Sequence, residues 1–325
     1  MEAGLVCRAA GVINMVPGPG SVIGPPVMDH VDLGGIHFTG STKVFSTMWL
    51  AVGSDIRKYK SYPRIVGETG GKDFVFAHAS ADVPALATAL LRGAFEYQGQ
   101  KCSAASRAYI PDTLWPAVKE RLLADVAQIK MGDVADFTTF MGAVIDEASF
   151  ANICGYIEYA KSKADNGFEI VCGGKCDKSA GYFVEPTLIV SKDPKSKLMS
   201  EEIFGPVLTV DVYPAAEYEQ TLHLCDETSP YALTGSIFSQ CRKATETAMT
   251  VLRNASGNFY INDKPTGAVV GQQPFGGSRA SGTNDKAGSM WNLIRWTSPR
   301  AIKENFLPPT TFRYPHMQPD QPDVA

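Results

Sequence analysis

The stretch Gly35-Ile-His-Phe-Thr-Gly-Ser-Thr-Lys-Val44 passes from an apolar strand into the start of a helix. Its first half is a short apolar run that ends at Gly40, and we expect a strand over residues 35–38. Ser41 or Thr42 can then cap the helix that follows, because a hydroxyl accepts a hydrogen bond from the open amides of a first turn. Such a helix start attracts phosphate groups. The stretch therefore predicts a strand–turn–helix unit with an anion site at its turn.

The same alternation of apolar strands and helical patterns continues outward from this unit. Strands are predicted at residues 11–16, 64–66 and 74–77, and the glycine-rich residues 16–24 indicate either a phosphate cradle or an ordinary turn. From residue 74 onward, helices are predicted at residues 83–97, 113–128, 146–163, 217–225 and 243–252. Further strands are predicted at residues 107–110, 182–190, 207–213, 233–239 and 257–261. This order is typical of an α/β fold.

Size and composition narrow the class of partner. The chain has 325 residues, of which 44% are hydrophobic, so it can bury a large core and form two domains. Its net charge of −4 and pI near 5.8 lack the basic excess of nucleic-acid binding proteins, and we expect a small-molecule partner. No stretch approaches the roughly 18 apolar residues of a membrane span. The seven cysteines indicate a reducing compartment rather than a disulfide scaffold, and the first residues lack the composition of a transit peptide.

Cys102 is the candidate nucleophile, in the run Gly99-Gln-Lys-Cys-Ser103 that follows a predicted helix. Cysteine reacts as the thiolate, and nearby cations lower the pKa of a thiol. Because Lys101 and Arg107 flank Cys102, we expect a lowered pKa and faster alkylation than at the other cysteines. Glu68 is the candidate base. The alternative is that Cys102 is a small buried apolar side chain.

The remaining polar residues give weaker signals. Cys172 and Cys176 could begin a metal site, but no second Cys or His pair lies nearby to complete four ligands, so we expect no metal. The five histidines are scattered along the sequence and are expected at structural or surface positions. Lys72 is expected to pack in the turn after Glu68, since nothing indicates the desolvated amine that a Schiff base requires.

Four motifs in order along the chain together resemble signatures of the NAD-dependent aldehyde dehydrogenases. They are Glu68-Thr-Gly-Gly-Lys72, Gly99-Gln-Lys-Cys-Ser103, Glu201-Glu-Ile-Phe-Gly-Pro-Val207 and Pro274-Phe-Gly-Gly277. Three further stretches resemble the branch of this family that acts on glutamate semialdehyde, at residues 94–104, 258–264 and 279–286. The resemblance covers nearly the whole chain. It implies an aldehyde dehydrogenase-like α/β fold: part of a Rossmann-type NAD-binding domain in residues 1–68, an α/β catalytic domain in residues 69–262, and a substrate-anchor loop, return segment and oligomerisation tail in residues 263–325.

The resemblance also implies a reaction and the residues that perform it. The reaction is the NAD-dependent oxidation of glutamate 5-semialdehyde to glutamate in proline breakdown. Cys102 would attack the aldehyde carbon, and Glu68 would activate the water that hydrolyses the resulting thioester. The residues implied for NAD are Gly40, Ser41, Thr42, Lys43 and Val44 at the pyrophosphate, Glu202 at the nicotinamide ribose and Phe204 beside the nicotinamide ring. Those implied for the substrate are Ser103, Gly267 and Ala268.

Two alternatives to a dehydrogenase stay open. Met1 falls part-way through the family's cofactor domain, and the asparagine that completes the family's oxyanion site has no counterpart here. The chain could therefore be an inactive fragment that serves as a binding or assembly module, or a thiol hydrolase that uses Cys102 and Glu68 without a cofactor. The family also implies a homo-oligomer, a dimer or larger, in the mitochondrial matrix.

Overall fold

The computed structural model describes residues 11–317, except for the side chain of residue 166. Residues up to Arg295 form one compact unit, and those from Trp296 onward form a second. The described part of the second unit is mostly exposed and contains one short 3-10 helix, Pro315–Met317. Among the helices that the structure describes, none is long and apolar enough to cross a membrane.

The first element that the structure describes is a helix, where a strand and a glycine-rich turn were predicted. Residues 11–16 are irregular, and α1 (Gly20–Asp29) occupies the glycine-rich stretch. The prediction is wrong because a strand needs a neighbouring strand or sheet, whereas Val12 is 71% exposed and Ile13 is 83% exposed. The carbonyl of Pro19 accepts the first amide hydrogen bonds of α1.

The predicted strand–turn–helix unit is confirmed. It consists of β1 (Gly35–Thr39) and α2 (Thr42–Ser54), and β2 (Arg64–Glu68) returns beside β1. The two strands are parallel, with Thr39 opposite Glu68. A small core of Phe45, Val52, Tyr59 and Ile65 holds α2 against them. The carboxyl ends of both strands therefore bring the turn after β1 next to Glu68.

A seven-stranded sheet forms the centre of the first unit. Its strands are β3 (Asp73–Ala77), β4 (Ala105–Pro111), β5 (Phe168–Cys172), β8 (Thr187–Ser191), β9 (Val207–Tyr213), β11 (Thr234–Phe238) and β12 (Asn258–Ile261), in the order β12-β11-β3-β4-β9-β8-β5. All neighbours are parallel except β5, which is antiparallel to β8. Two small pairs complete the strands: β6 (Cys176–Asp177) with β7 (Phe183–Val184), and β10 (Tyr231–Ala232) with β13 (Ser278–Arg279).

Helices cover both faces of this sheet. They are α3 (Val83–Phe95), α4 (Trp115–Val126), α5 (Glu147–Ser162), α6 (Lys197–Ser200), α7 (Tyr218–Glu227) and α8 (Arg242–Val251). A further short helix, α9 (Met290–Arg295), has no buried residues. Leu86 of α3 and Val118 of α4 pack in one core cluster, and Leu222 of α7 and Ala248 of α8 pack in another. The predicted α/β class is confirmed, whereas domain boundaries at residues 68 and 262 stay a prediction.

Several strands differ from the sequence prediction, and the two-residue strands β6, β10 and β13 were not predicted. The single strand expected at residues 182–190 is split into β7 and β8, since Pro186 has no amide to donate to a ladder. The edge strand β5 was not predicted, because its five residues lie between a helix end and a glycine-rich turn without a clear alternation.

Candidate active site

A cavity of about 1020 Å³ lies at the carboxyl ends of β1 and β2, next to the loops that follow α3 and β12. It is lined by most of the predicted site residues: Gly40, Ser41, Glu68, Cys102, Ser103, Glu202, Phe204, Gly267 and Ala268. Three predicted residues do not line it: Thr42, Lys43 and Val44. Residues that are far apart in sequence therefore meet around one space, as an active site requires.

A tight loop between α3 and β4 presents Cys102 to this cavity. Tyr97, Gln98 and Gly99 all have left-handed φ angles, of 55°, 57° and 64°. Glycine is required at position 99, because a Cβ there would overlap the carbonyl oxygen of Gly205. The predicted helix to residue 97 therefore stops at residue 95, and Cys102 emerges half-buried in the cavity wall.

The cations that flank Cys102 in sequence do not face its thiol. Lys101 Nζ lies 3.4 Å from a carboxylate oxygen of Glu96. Arg107 is buried in β4, where its guanidinium donates to the carbonyl oxygens of Lys72, at 2.8 Å, and Cys225, at 3.1 Å. The basis for a lowered thiol pKa is therefore absent from the fold.

The surroundings of Cys102 raise its pKa instead. Burial is the largest cause, and the negative charges of Asp73, Glu68 and Glu202 add to it, so that the pKa of the thiol is raised to about 12. The prediction of a lowered pKa is wrong. With a pKa of about 12, the thiol is protonated near neutral pH.

We expect alkylation of Cys102 by iodoacetamide to be slow near neutral pH and to rise about tenfold per pH unit, since only the thiolate reacts. Glu68→Gln removes one nearby negative charge, so it should lower the pKa of Cys102 and speed its labelling at fixed pH. Mass spectrometry of the labelled peptides measures both effects, with half-buried Cys241 as the internal control. Fast labelling of Cys102 at neutral pH that is indifferent to Glu68→Gln would contradict this electrostatic account.

Glu68 is held at the end of β2 by a segment from much later in the chain. The amide of Thr69 donates to the carbonyl of Ser281 at 3.0 Å, and the amide of Thr283 donates to the carbonyl of the residue before Glu68 at 2.9 Å. Burial raises the pKa of the Glu68 carboxyl, and the positive charge of Lys286 partly offsets this. A pKa nearer neutral suits a general base.

The turn after β1 offers an amide-rich helix start on the cavity. The hydroxyl of Ser41 accepts a hydrogen bond from the amide of Val44 at 3.3 Å and caps α2. The backbone of Gly40 lies against the ring of Phe38, and a Cβ at this position would be 2.5 Å from that ring. Gly40 and Ser41 both line the cavity, and the amides at the start of a helix can bind a phosphate group.

Thr42, Lys43 and Val44 form the first turn of α2 and do not line the cavity. The hydroxyl of Thr42 donates to the carbonyl of Ala280 at 2.9 Å, which ties α2 to the segment that also holds Glu68. Lys43 and Val44 lie in the first turn of α2 and are exposed outside the cavity wall. Any role for them in cofactor binding stays a prediction.

Glu202 and Phe204 lie in the loop before β9, and Glu202 contacts the motif at residues 68–72. A carboxylate oxygen of Glu202 accepts a hydrogen bond from the amide of Gly71 at 2.9 Å, and a side chain at Gly70 would overlap the carboxylate. Burial raises the pKa of Glu202, while the Gly71 amide and Lys72 lower it. Phe204 has a φ of 57° and is 42% exposed in the cavity wall.

The predicted substrate-anchor loop, residues 265–269, closes the cavity next to Cys102. The hydroxyl of Ser103 lies 2.7 Å from the hydroxyl of Thr266, and both side chains are buried. Gly267 has a φ of 91°, in the left-handed region that favours glycine. The loop is therefore hydrogen-bonded to the chain segment that carries the nucleophile.

Asn152 is a cavity residue that sequence reasoning missed. It projects from α5, and its side-chain amide donates to the carbonyl of Ile203 at 3.2 Å. No sequence signal could have identified it, because its place depends on how α5 packs against the loop before β9. Thr39 and Gln100 also line the cavity. They adjoin predicted residues, so their position in the motifs was a usable signal.

The cysteines outside the cavity differ from the sequence expectation. Cys154 of α5 and Cys176 of β6 form a disulfide, with Cα atoms 6.3 Å apart. The cysteine count gave no sign of this pair, which meets only through the packing of α5. Cys172 stays a thiol, and burial raises its pKa. Within residues 11–317, no group of three or more His, Cys, Asp or Glu side chains could hold a metal ion.

Comparison with known proteins shows where this fold and site occur. The aldehyde dehydrogenase family profile matches residues 3–302. Mitochondrial delta-1-pyrroline-5-carboxylate dehydrogenase from Dictyostelium discoideum is 61% identical over 319 residues, which are 98% of this chain and 56% of that protein. The Homo sapiens protein of the same name is 52% identical over 318 residues, again 98% of this chain and 56% of the relative.

A solved structure gives the same result for the fold. The crystal structure of the Mycobacterium tuberculosis enzyme bound with NAD and cobalamin has a TM-score of 0.88 and 53% sequence identity, over 95% of this chain and 56% of that one. The chain thus spans a little more than half the length of these relatives. The expected aldehyde dehydrogenase-like fold is confirmed. This chain belongs to the aldehyde dehydrogenase family.

Proposed function

We propose that the protein carrying this chain oxidises L-glutamate 5-semialdehyde, formed from delta-1-pyrroline-5-carboxylate, to glutamate with NAD. The observation that carries the proposal is that Cys102, Glu68 and Glu202 line one cavity next to an amide-rich helix start. The names of the relatives, which are delta-1-pyrroline-5-carboxylate dehydrogenases, support the choice of substrate. The reaction belongs to the breakdown of proline.

Cys102 acts as the nucleophile. After the thiol has lost its proton to water, its Sγ bonds to the aldehyde carbon and the carbonyl oxygen becomes the oxyanion of a thiohemiacetal. When this oxyanion re-forms the C=O bond, a hydride leaves the same carbon and a thioester remains. When bound, NAD supplies the hydride acceptor and a positively charged ring. Because Glu68 and Glu202 contribute to the high pKa of Cys102, positive charge in the cavity favours the thiolate. The backbone amide of Cys102 is a donor for the developing oxyanion.

Glu68 acts as the base for the second half of the reaction. It removes a proton from water, the oxygen bonds to the thioester carbon, and the sulfur leaves as the Cys102 thiolate, which releases glutamate. The raised pKa of Glu68 makes it a stronger base than an exposed carboxylate. Asn152 lines the cavity, and one N–H of its side-chain amide donates to the carbonyl of Ile203.

NAD would be held by cavity residues from the turn after β1 and from the loop before β9. Gly40 and Ser41 present the helix-start amides to the pyrophosphate, with Thr42, Lys43 and Val44 continuing the same first turn. The carboxylate of Glu202 can accept hydrogen bonds from the two hydroxyls of a ribose. Phe204 offers an exposed ring for the nicotinamide to pack against.

We expect Glu202→Ala to raise the KM for NAD about tenfold or more, because two hydrogen bonds to a charged acceptor are lost. The KM for the aldehyde should change less than twofold. Steady-state kinetics with each substrate varied in turn measures both values. The control is Glu201→Ala, which removes an exposed carboxylate bonded to the Tyr156 hydroxyl. Equal increases in the two KM values would contradict the assignment to the ribose.

The substrate's remote carboxylate would lie at the anchor loop. Ser103 offers a hydroxyl, and Gly267 and Ala268 offer backbone amides that can bind a carboxylate. Ala268 has no hydroxyl to add, but its main-chain amide remains. These residues therefore suit an aldehyde whose far end is negatively charged.

The oligomeric state and the cellular location that we propose are those implied by the family. We place it in the mitochondrial matrix as a homo-oligomer, a dimer or larger. The mitochondrial names of the relatives from Dictyostelium discoideum and Homo sapiens support the organelle. The exposed apolar side chains of Phe306, Leu307 and Phe312 are consistent with a segment that packs against a second copy.

The test of the proposal is NADH formation from delta-1-pyrroline-5-carboxylate by the purified protein, followed by absorbance. Activity that requires both NAD and the aldehyde supports the dehydrogenase. Ester cleavage that needs no cofactor, without NADH formation, would support the thiol hydrolase. A folded protein with neither activity would support the binding or assembly module and overturn the proposal.

A further inference from the structure

One carboxylate joins the two loops that line the cavity around Cys102. Lys101 Nζ is 3.4 Å from an oxygen of Glu96, and Lys264 Nζ is 3.2 Å from the same oxygen. Lys101 immediately precedes the nucleophile and lines the cavity, while Lys264 immediately precedes the anchor loop. Glu96 therefore links the segment that carries the thiol to the segment that closes over it.

Lys264 also packs directly against the anchor loop. Its Nζ lies 2.9 Å from the point that a Cβ on Gly267 would occupy, so the ammonium lies close to the backbone of the loop. Lys264 itself does not line the cavity. Lys264 can therefore affect a bound substrate in two ways, through the position of Gly267 or through its charge, and the experiments below separate the two.

The three charged side chains are partly withdrawn from water. The exposed fraction of the side chain is 24% for Lys264, 30% for Lys101 and 43% for Glu96. Ion pairs at this depth are screened less than those on an open surface, and each charge-assisted hydrogen bond is stronger than a neutral one. Two cations share one carboxylate, so the cluster also carries an excess of positive charge.

We propose that Glu96 and Lys264 are positioning residues that hold the anchor loop at the distance from Cys102 that suits an aldehyde with a terminal carboxylate. The choice of substrate class rests on the function proposed above. Lys264 supports Gly267 from outside the cavity, and Glu96 fixes Lys264 relative to the nucleophile loop. The cluster thus sets which aldehyde the site prefers and takes no part in bond making.

The first test is Lys264→Met, which keeps the length of the side chain and removes the ammonium. The KM for glutamate semialdehyde should rise about five- to tenfold with kcat nearly unchanged, and kcat/KM for hexanal, a neutral aldehyde, should stay the same. Lys264→Arg should restore most of the loss. The matched control is Lys119→Met in α4, which breaks an ion pair with Glu169 of β5 and removes an ammonium whose side chain is 32% exposed.

Glu96→Gln separates positioning from a simple attraction of charges. It leaves the local charge more positive, so an electrostatic effect alone would strengthen the binding of an anionic substrate. Positioning predicts the opposite result, because the shared anchor of both loops is weakened. A higher KM for glutamate semialdehyde in Glu96→Gln supports the proposal, and a lower one overturns it.

A binding measurement keeps this proposal distinct from the proposed function. Glutarate, a dicarboxylate of similar length, should protect Cys102 from alkylation, and Lys264→Met should raise the half-protecting concentration by a similar factor. A wild-type protein that forms NADH, with variants that leave both KM and protection unchanged, overturns the positioning role alone. A wild-type protein without NADH formation, in which Lys264→Met still weakens glutarate protection, supports the positioning role and overturns only the dehydrogenase.

Discussion

Replacing Cys102 with serine is expected to reduce NADH formation from glutamate semialdehyde by at least about a thousandfold, because removal of a covalent nucleophile eliminates the route through a thioester. A serine hydroxyl is far less acidic than a thiol, and the buried, negatively charged surroundings that raise the pKa of Cys102 to about 12 would oppose its ionisation further. Stopped-flow absorbance of NADH measures the loss in a single turnover.

The control for this substitution is Cys241→Ser, which changes a half-buried thiol outside the cavity. It should keep full activity. The inactive Cys102→Ser variant should still be stabilised by NAD in a thermal melt, since its binding groups are unchanged. NADH formation by Cys102→Ser at a rate close to the wild type would show that the aldehyde is oxidised without the thiol, and the assigned mechanism would have to be abandoned.

Local signals explain which parts of the fold the sequence predicted well. The unit from β1 to α2 was predicted because a strand pattern, a glycine and a capping serine lie within ten consecutive residues. The end of α3 was placed too late because Tyr97 and Gln98 look helical in composition but adopt left-handed conformations. At the next residue, Gly99, the backbone passes so close to Gly205 that no Cβ fits, and a sequence pattern does not reveal this long-range approach.

Contacts between distant residues explain what the sequence could not predict about the site. Lys101 and Arg107 flank Cys102 in the sequence, yet their charges are taken up by Glu96 and by main-chain carbonyls. Burial of the thiol raises its pKa instead, and the negative charges of Asp73, Glu68 and Glu202 add to this effect. Neighbours in the sequence are therefore a poor guide to electrostatics at the end of a helix. The motifs were a better guide, because nine of the twelve site residues predicted with their help line the cavity.

Glu68→Gln is expected to separate the two halves of the reaction. The variant should form NADH in a rapid burst of about one equivalent per site, since attack by Cys102 and hydride transfer do not need the carboxylate. Its steady-state rate should fall about a hundred- to a thousandfold, because the water that hydrolyses the thioester has lost its general base. Hydroxylamine, a nucleophile that needs no such base, should restore turnover. Rapid mixing followed by steady-state absorbance measures both phases.

The pH dependence gives an independent check on the same step. Burial raises the pKa of Glu68, so the wild-type rate of thioester hydrolysis should fall as the pH drops through that raised pKa and the carboxylate becomes protonated. The Gln variant has no group to titrate at this position and should lack the inflection. Glu201→Gln, an exposed neighbour of Glu202, serves as the control and should keep both the rate and the inflection. If Glu68→Gln instead abolished the burst, the carboxylate would be required before hydride transfer, and Glu68 would have to be reassigned from the water to an earlier proton transfer.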